Sequence, residues 1–379
     1  MTPTPKGLAG VIAANTSISR VDGENGELIY RGYNILDIGE KTSFEEIAYL
    51  LWYGDLPNQA QLDALQTRLV KRREMPANLL AALKMVPITA APMAVLRTSV
   101  SWLGQLDPTA DDTSPESIQE KSWGLTAVLP TIIAAWERIR RGHKPIPPHA
   151  DLGHPANFLY MLNGIEPDAA AINALNAYLV LLADHDFNAS TFAARVTTGT
   201  LADIYSAVTT AIGTLKGGAH GGANQLAMEQ FIAAANSGDV TAWYHAARAS
   251  GQRIMGIGHR VYKVEDPRAR ILRPLAEKMA RSSGAGHWYE VAAQIEALTR
   301  QDGYFVERNL FANVDYYSAV VLYMLGLPTD QFTCLFAMSR IAGWTAHIME
   351  QVADNRLIRP KAQYVGPVGR VFTPLPERS

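Results

Sequence analysis

Beyond Ser43 the chain repeats apolar residues at intervals of three and four almost throughout, the period of helices buried along one side. Ile47, Leu50 and Leu51 fall on one such face, and Ser43 with Glu46 three residues later has the form of a capping box at its start. Ile172, Leu175, Leu179 and Leu182 predict another helix, and Met228, Phe231, Ile232 and Ala235 a further one beginning near Asn224. The long run from Asp330 to Val352 carries Leu335, Met338, Ala342 and Met349 along its apolar side. Strand signals are confined to the N-terminal segment. There Ser17-Ile18-Ser19 and Leu28-Ile29-Tyr30 flank the turn-rich Asp22-Gly23-Glu24-Asn25-Gly26, which predicts a small hairpin. Pro145 to Pro148 and Gly326-Leu327-Pro328 are stiff breaks. No fixed-period repeat or low-complexity tract occurs, and strands do not alternate with helices. The expected fold class is therefore mainly α, and a doubly wound dinucleotide fold is disfavoured.

A length of 379 residues allows two or three folding units and a large core. Hydrophobic residues make up 48% and charged residues 18%, the balance of a globular chain rather than a disordered one. Lys+Arg 34 against Asp+Glu 36 leaves a formal charge of -2, which gives no nucleic-acid footprint. The basic clusters Lys71-Arg72-Arg73 and Arg138 to Lys144 read as solvated helix faces, with anion contact as the alternative. A single cysteine, Cys334, rules out an intrachain disulfide framework and a multi-cysteine metal site; in its apolar helical setting it reads as a buried structural thiol. Met1-Thr2-Pro3-Thr4-Pro5-Lys6 lacks the basic start and apolar run of a secretory signal, and no stretch approaches ~18 uninterrupted apolar residues. A soluble, cytoplasmic protein with neither nucleic acid nor membrane as partner is expected.

Three polar clusters in the second half carry the candidate chemistry: Gly217-Gly218-Ala219-His220-Gly221-Gly222-Ala223-Asn224, Gly256-Ile257-Gly258-His259-Arg260-Val261-Tyr262, and Asn313-Val314-Asp315-Tyr316-Tyr317-Ser318. Glycine lets backbone approach a ligand closely, and two histidines with one carboxylate form a proton-transfer apparatus where a fold unites them. His220 stands in a loop that feeds a helix, whose N-terminal N–H groups would hold it neutral and stabilise an oxyanion; a tight packing turn is the plain alternative. Arg268, nine residues past His259, offers a carboxylate a planar fork, although a loop of solvated charges has the same composition. Taken alone, Asp315 reads as a helix N-cap. His185, among Asp184, Asp186 and Asn188, is a polar helix end or a site. Arg340 within an apolar helix, and Arg359 in Ile358-Arg359-Pro360, call for a carboxylate partner, internal or from a ligand.

Other chemistries lack their residues. Gly-x-Ser-x-Gly, Gly-x-x-x-x-Gly-Lys-Ser/Thr and His-Glu-x-x-His are all missing, and His347 with Glu350 finds no second ligand pair, so no metal site is expected.

Taken together, these segments resemble the citrate synthase family over nearly the whole chain. The likeness begins at Gly7-Leu8-Ala9-Gly10-Val11 and Tyr30-Arg31-Gly32-Tyr33, and continues through Ala189-Ser190-Thr191-Phe192-Ala193-Ala194-Arg195-Val196 and the three clusters to Asn355-Arg356-Leu357-Ile358-Arg359-Pro360. Each motif is moderate by itself; their order is specific. The resemblance implies a two-domain helical homodimer, with residues 1–221 and 327–379 as the large domain and 222–326 as a small one closing over the cleft from a hinge near the His220 loop. It also implies condensation of an acyl-CoA with a 2-oxo dicarboxylate and hydrolysis of the thioester. Asp315 matches the base that removes the α-proton, His220 the donor to the thioester oxygen, and His259 the group that polarises or protonates the ketone. Oxaloacetate maps onto His185, Asn188, Arg268, Arg340 and, from the partner chain, Arg359. CoA maps onto Met255, Gly256 and Gly258, with Lys263 and Arg308 at phosphate-contacting positions. No metal or redox cofactor is implied.

The chain departs from the family pattern in four places. Ala91-Pro92-Met93 replaces His-Pro-Met, Asp184-His185-Asp186 replaces the commoner His-Glu, Asn224-Gln225 replaces Asn-Glu, and Gly217-Gly218 lacks a proline common there. These changes bear on substrate preference: citrate synthase is the main reading and 2-methylcitrate synthase, using propionyl-CoA, the alternative. A catalytically silent dimerisation scaffold is the remote one, which retention of His220, His259 and Asp315 disfavours. The chain starts within a few residues of the family core, without the extra N-terminal domain of the hexameric, NADH-inhibited members, so a dimer lacking that response is expected.

Overall fold

The computed structural model describes residues 6–8, 10–282 and 284–378; Met1 to Pro5, and Ala9 of the Gly7–Val11 motif, lie outside them. The polypeptide starts as a three-stranded antiparallel sheet, β1 (Ser19–Asp22), β2 (Glu27–Tyr30) and β3 (Tyr33–Asn34), with Ser19 opposite Tyr30 and Asp22 opposite Glu27. This is the expected hairpin with one short strand added. Helices α1 (Ile35–Ile38), α2 (Phe44–Tyr53), α3 (Gln59–Val70), α4 (Ala77–Leu83), α5 (Pro92–Leu106) and α6 (Pro115–Arg140) follow. The Ser43/Glu46 capping box at the start of α2 is present in both halves. After the Pro145–Pro148 break come α7 (His154–Asn163), α8 (Ala169–Leu182), α9 (Ala189–Thr198) and α10 (Ile204–Leu215).

A second group consists of α11 (Ala223–Asn236), α12 (Val240–Ala249), α13 (Pro267–Ser282), α14 (His287–Thr299), α15 (Gly303–Val306) and α16 (Val314–Met324). Within it α11, α13 and α14 pack on α16, and α12 packs on α11 and α14; its ties to the rest run through α8, α1 and α17. The chain returns to the first group through the break at Gly326–Pro328, and its last α-helix is α17 (Phe332–Ala353).

Every residue of α17 from Phe332 to Ile348 is buried, because the helix is enclosed by α2, α5, α6, α8, α9, α10 and α11. A helix enclosed on all sides needs apolar residues on all sides, and its few polar groups must find partners. Ser339 Oγ donates to Leu179 O at 2.6 Å, Arg340 Nε to Leu182 O at 2.7 Å, and Gly343 N to Ala183 O at 3.1 Å. These three bonds stitch α17 to the C-terminal end of α8. A Cβ at Gly343 would lie 2.3 Å from Ala183 O, so only glycine admits this approach. Cys334 is buried here as expected. The reading of Lys71-Arg72-Arg73 as a solvated face fails at Arg73, which is 3% exposed and donates to His149 O and Leu152 O at 2.9 and 2.8 Å.

Candidate active site

The C-terminal end of α8 turns through Asp184-His185-Asp186 into α9, and the N-terminal sheet holds this turn in place. The Tyr30 hydroxyl donates to Asp184 O at 2.9 Å and accepts Asp184 N at 3.1 Å. The Ser19 hydroxyl donates to the Asp184 carboxylate and accepts Asp186 N at 2.9 Å. So tethered, Asp186 keeps a φ of 50°, a left-handed conformation that costs a non-glycine residue about 1 kcal/mol or more. Asn188 caps α9: its Oδ1 accepts Thr191 N at 3.2 Å and the Ser190 hydroxyl at 2.8 Å, and its Nδ2 donates to Thr191 Oγ1 at 2.8 Å. The result is a buried His185 with Nε2 3.2 Å from the Tyr262 hydroxyl. Burial, then Arg268 and His259, press its pKa well below the usual imidazole value.

His220 stands between α10 and α11. Gly221 N donates to Leu215 O at 3.0 Å, where a Cβ would lie 2.3 Å from the same oxygen, and Thr333 Oγ1 donates to Gly221 O at 3.1 Å. The loop is therefore a tight packing turn, and it leaves the His220 ring beside Ser190 at the start of α9. His220 Nε2 lies 3.3 Å from Ser190 N and 2.9 Å from Ser190 Oγ. A backbone N–H only donates, so Nε2 accepts and the proton of the neutral ring sits on Nδ1. Burial first and Arg340 second bring the pKa to about 4. The neutrality expected from a helix terminus thus arises from desolvation and a nearby guanidinium.

The other two clusters are one structural unit. Gly256 and Gly258 take φ of 76° and 91°, and an Ile257–Ala312 bridge joins their loop to the segment before α16. Gly258 N donates to Phe311 O at 2.7 Å, Asn313 N to Gly256 O at 2.9 Å, and Asn313 Nδ2 to Gly258 O at 2.7 Å. A Cβ at Gly256 would lie 2.9 Å from Tyr316 Cα. His259 follows directly, its Nδ1 accepting Val261 N and Tyr262 N at 3.1 and 3.2 Å, so its proton is on Nε2. Burial and Arg268 lower it to about 4. Its ring centroid is 5.6 Å from that of His185 and 4.8 Å from that of Tyr262.

Asp315 is not the cap of α16, contrary to its stand-alone reading. Asn313 is the N-cap, accepting Asp315 N at 2.8 Å, so Asp315 occupies the first turn with its carboxylate released from capping. The residue is partly covered, yet its Oδ1 is shut off from water with no hydrogen-bond partner. Burial raises its pKa to about 6, against the pull of Arg268 and Arg340 and with the push of Asp266.

Arg340 is 1% exposed, stacks 4.8 Å over the Phe336 ring, and keeps Nη1 without a partner. Its field reaches His185, His220 and Asp315 alike, and that of Arg268 reaches His185, His259 and Asp315. Two buried cations thus face three neutral imidazoles and one reluctant carboxylate, a layout suited to an anionic substrate whose carbonyl develops charge.

Residues 7–361 match the family model for the citrate synthase C-terminal domain. The chain belongs to the citrate synthase family. It is 44% identical to a citrate synthase of Haloferax volcanii over 98% of each chain, and 41% identical to a 2-methylcitrate synthase of Mycobacterium tuberculosis over 97% of this chain and 92% of that one. Among solved citrate synthases, that of Pyrobaculum aerophilum superimposes with a TM-score of 0.89 at 38% identity, covering 98% of this chain and 95% of that chain. The Thermoplasma acidophilum citrate synthase, solved as a ternary complex with carboxymethyl coenzyme A and oxaloacetate, gives a TM-score of 0.91 at 32% identity, covering 98% of this chain and 99% of that chain.

The fold shared by this citrate synthase family does not gather every residue that the resemblance singled out. Arg359 lies on the exposed segment after α17. Lys263 and Arg308 are exposed near the Gly256–Gly258 loop and α15, and Arg308 stacks 4.3 Å over Tyr304. Met255 is partly buried, its N–H donating to Gln230 Oε1 at 2.9 Å. Of the family departures, Gln225 reaches Glu229 Oε1 at 2.9 Å rather than a site histidine, whereas Asp186 is in the His185 turn. Neither His347 nor Glu350 is free for a metal: His347 lies 3.3 Å from the Asp184 carboxylate and 3.1 Å from Arg195, which also bonds Glu350. Ser190, Tyr262 and Asp184 stand within motifs quoted from the sequence, but neither they nor Asp266 had a role assigned from it. Asp266-Pro267 did carry a signal, that of a helix start, but nothing in it pointed to Arg268.

Proposed function

We propose that the protein is a citrate synthase, condensing acetyl-CoA with oxaloacetate and hydrolysing the thioester to citrate and CoA. The observation that carries this reading is the pairing of two neutral imidazoles, each with a defined N–H donor, with a buried carboxylate of raised pKa. Asp315 takes a proton from the acyl methyl group while the Nδ1–H of His220 stabilises the enol oxygen; neither step is accessible without the other. His259, through Nε2–H, polarises the ketone that the enol carbon attacks. Arg268 and Arg340 hold the oxaloacetate carboxylates with His185, with Asn188 beside them, and Arg359 of the neighbouring chain completes the set in a homodimer. The Met255–Gly258 loop receives the adenine end of CoA, with Lys263 and Arg308 near its phosphates. These steps use side chains and substrates alone, with no metal or redox cofactor. Residues 222–326 form the small domain and 1–221 with 327–379 the large one, a division supported by the mutual packing of α11 to α16. Among the described residues no helix is long and apolar enough to cross a membrane; the reading places the protein in the cytoplasm, where a lone buried thiol stays reduced.

The 2-methylcitrate alternative has a specific support, the 41% identity to a protein of that name. One methylene in an apolar pocket is worth only ~1–3 kcal/mol. Following thiol release with oxaloacetate and either acetyl-CoA or propionyl-CoA separates the readings. A higher kcat/KM with acetyl-CoA is expected, a preference for propionyl-CoA gives the alternative, and no release with either returns the silent scaffold.

The same assay across pH is expected to show an acid limb near pH 6, where Asp315 gains its proton and ceases to be a base. His220 and His259 remain neutral down to about pH 4, so they do not contribute to that limb. Full kcat/KM persisting to pH 4.5 or so would remove Asp315 from the role.

A further inference from the structure

One buried carboxylate has no part in the steps above. Asp266 is 1% exposed and directly precedes α13. Its Oδ1 accepts Arg268 N at 3.0 Å, the bond of an ordinary helix-start turn. Three further bonds go beyond a cap. Arg268 Nε donates to Oδ1 at 3.0 Å and Nη2 to Oδ2 at 2.8 Å, while Oδ2 also accepts Val314 N at 3.1 Å. Val314 is the first residue of α16 and the neighbour of Asp315. One side chain therefore joins the guanidinium assigned to the keto acid and the helical turn assigned to the base.

We propose that Asp266 is a positioning residue for the condensation, keeping the oxaloacetate anchor and the acyl-CoA base in register through a single carboxylate. This rests on the reading of Arg268 and Asp315 given above. Condensation requires the ketone carbon and the enol carbon to meet at near-contact distance, and small misplacements of either partner cost large factors in rate. Arg268 has several rotatable bonds, and the fork with Asp266 fixes its plane before substrate arrives. The bond to Val314 fixes the start of α16 to the same reference. Charge acts in the same direction. Asp315 faces Arg268 and Asp266 from the start of α13, Arg340 from α17 and Tyr178 from α8. The negative charge of Asp266 offsets Arg268, so that Asp315 remains a strong enough base to take a methyl proton.

Asp266→Asn keeps the shape and removes the charge. Its expected effects are a rise in KM for oxaloacetate of roughly tenfold or more, a fall in kcat of similar size, and a shift of the acid limb to lower pH, since two guanidiniums then act on Asp315 less opposed. A defect of packing alone would lower the amount of active enzyme and leave KM and the limb in place. Val314→Pro is the second variant: proline is accommodated at a first helical position, and it deletes the N–H to Asp266 without altering any charge. It is expected to lower kcat by roughly severalfold with KM for oxaloacetate and the acid limb unchanged. Wild-type pH profile and KM in a folded Asp266→Asn overturn the proposal; should that variant not fold by circular dichroism, a wild-type kcat in Val314→Pro overturns it. Absence of thiol release by the wild-type protein would instead sink the enzymatic reading itself.

Discussion

Asp315→Asn is expected to be nearly inactive and, at neutral pH, more stable than the wild type. The loss follows from the role: a general base contributes typically ~10²–10⁴-fold, and the amide cannot accept the proton. The gain follows from burial. Asp315 has its pKa raised from 3.8 to about 6, so the folded state binds a proton more tightly than the unfolded chain. Its relative stabilisation is present below pH 3.8 and is lost as pH rises through 6; above that, holding the bare carboxylate costs the fold at most about 3 kcal/mol. Replacing it by a neutral isostere relieves that cost. Thermal melts of both proteins should therefore diverge at pH 8 in favour of the variant and converge below pH 4 or so. Retention of more than about a tenth of wild-type activity would exclude the general-base role, and a lower Tm at pH 8 would exclude the strained carboxylate.

Arg359→Ala is expected to be inactive as well, for a reason that lies outside its own chain. Arg359 is exposed beyond α17, with no part in the cluster of His185, His259, Arg268 and Asp315. If it completes a neighbour's site, Arg359→Ala and Asp315→Ala homodimers each fail, while a mixed dimer regains one site that unites an intact Asp315 with an intact Arg359. About half the wild-type rate per dimer is the expected recovery. Differently tagged copies, co-expressed and purified through both tags, provide the measurement. A verified heterodimer no faster than either parent would return Arg359 to its own chain or to a purely structural role.

The parts of this molecule that were legible in its sequence are those governed by local rules. The Ser43 capping box, the hairpin at Asp22–Gly26 and the periodic run that became α17 each depend on residues close together in the chain. His220, His259 and Asp315 stood out because glycines or a helix start surrounded them. What remained hidden depends on contacts between distant segments. Asp184 is held by Ser19 and Tyr30, more than 150 positions away, and Asp266 contacts Val314 across 48. Asn313 outcompeted Asp315 for the cap, and no spacing rule distinguishes two capping residues two positions apart. Arg73 looked like a surface charge because the carbonyls that bury it come from the His149–Leu152 loop.

The junction of the Gly256–Gly258 loop with α16 limits how such a protein can diverge. A side chain at Gly256 meets the backbone of Tyr316 as well as an adverse φ, and Gly258 is tied to Phe311 and Asn313 on both its N–H and its carbonyl. The loop and the start of the helix that carries Asp315 share these bonds, so a side chain at Gly256 or Gly258 is expected to lower turnover with either acyl group. Substitutions that shift the choice of acyl chain are then expected to be tolerated in other walls of the cleft and not at Gly256 or Gly258.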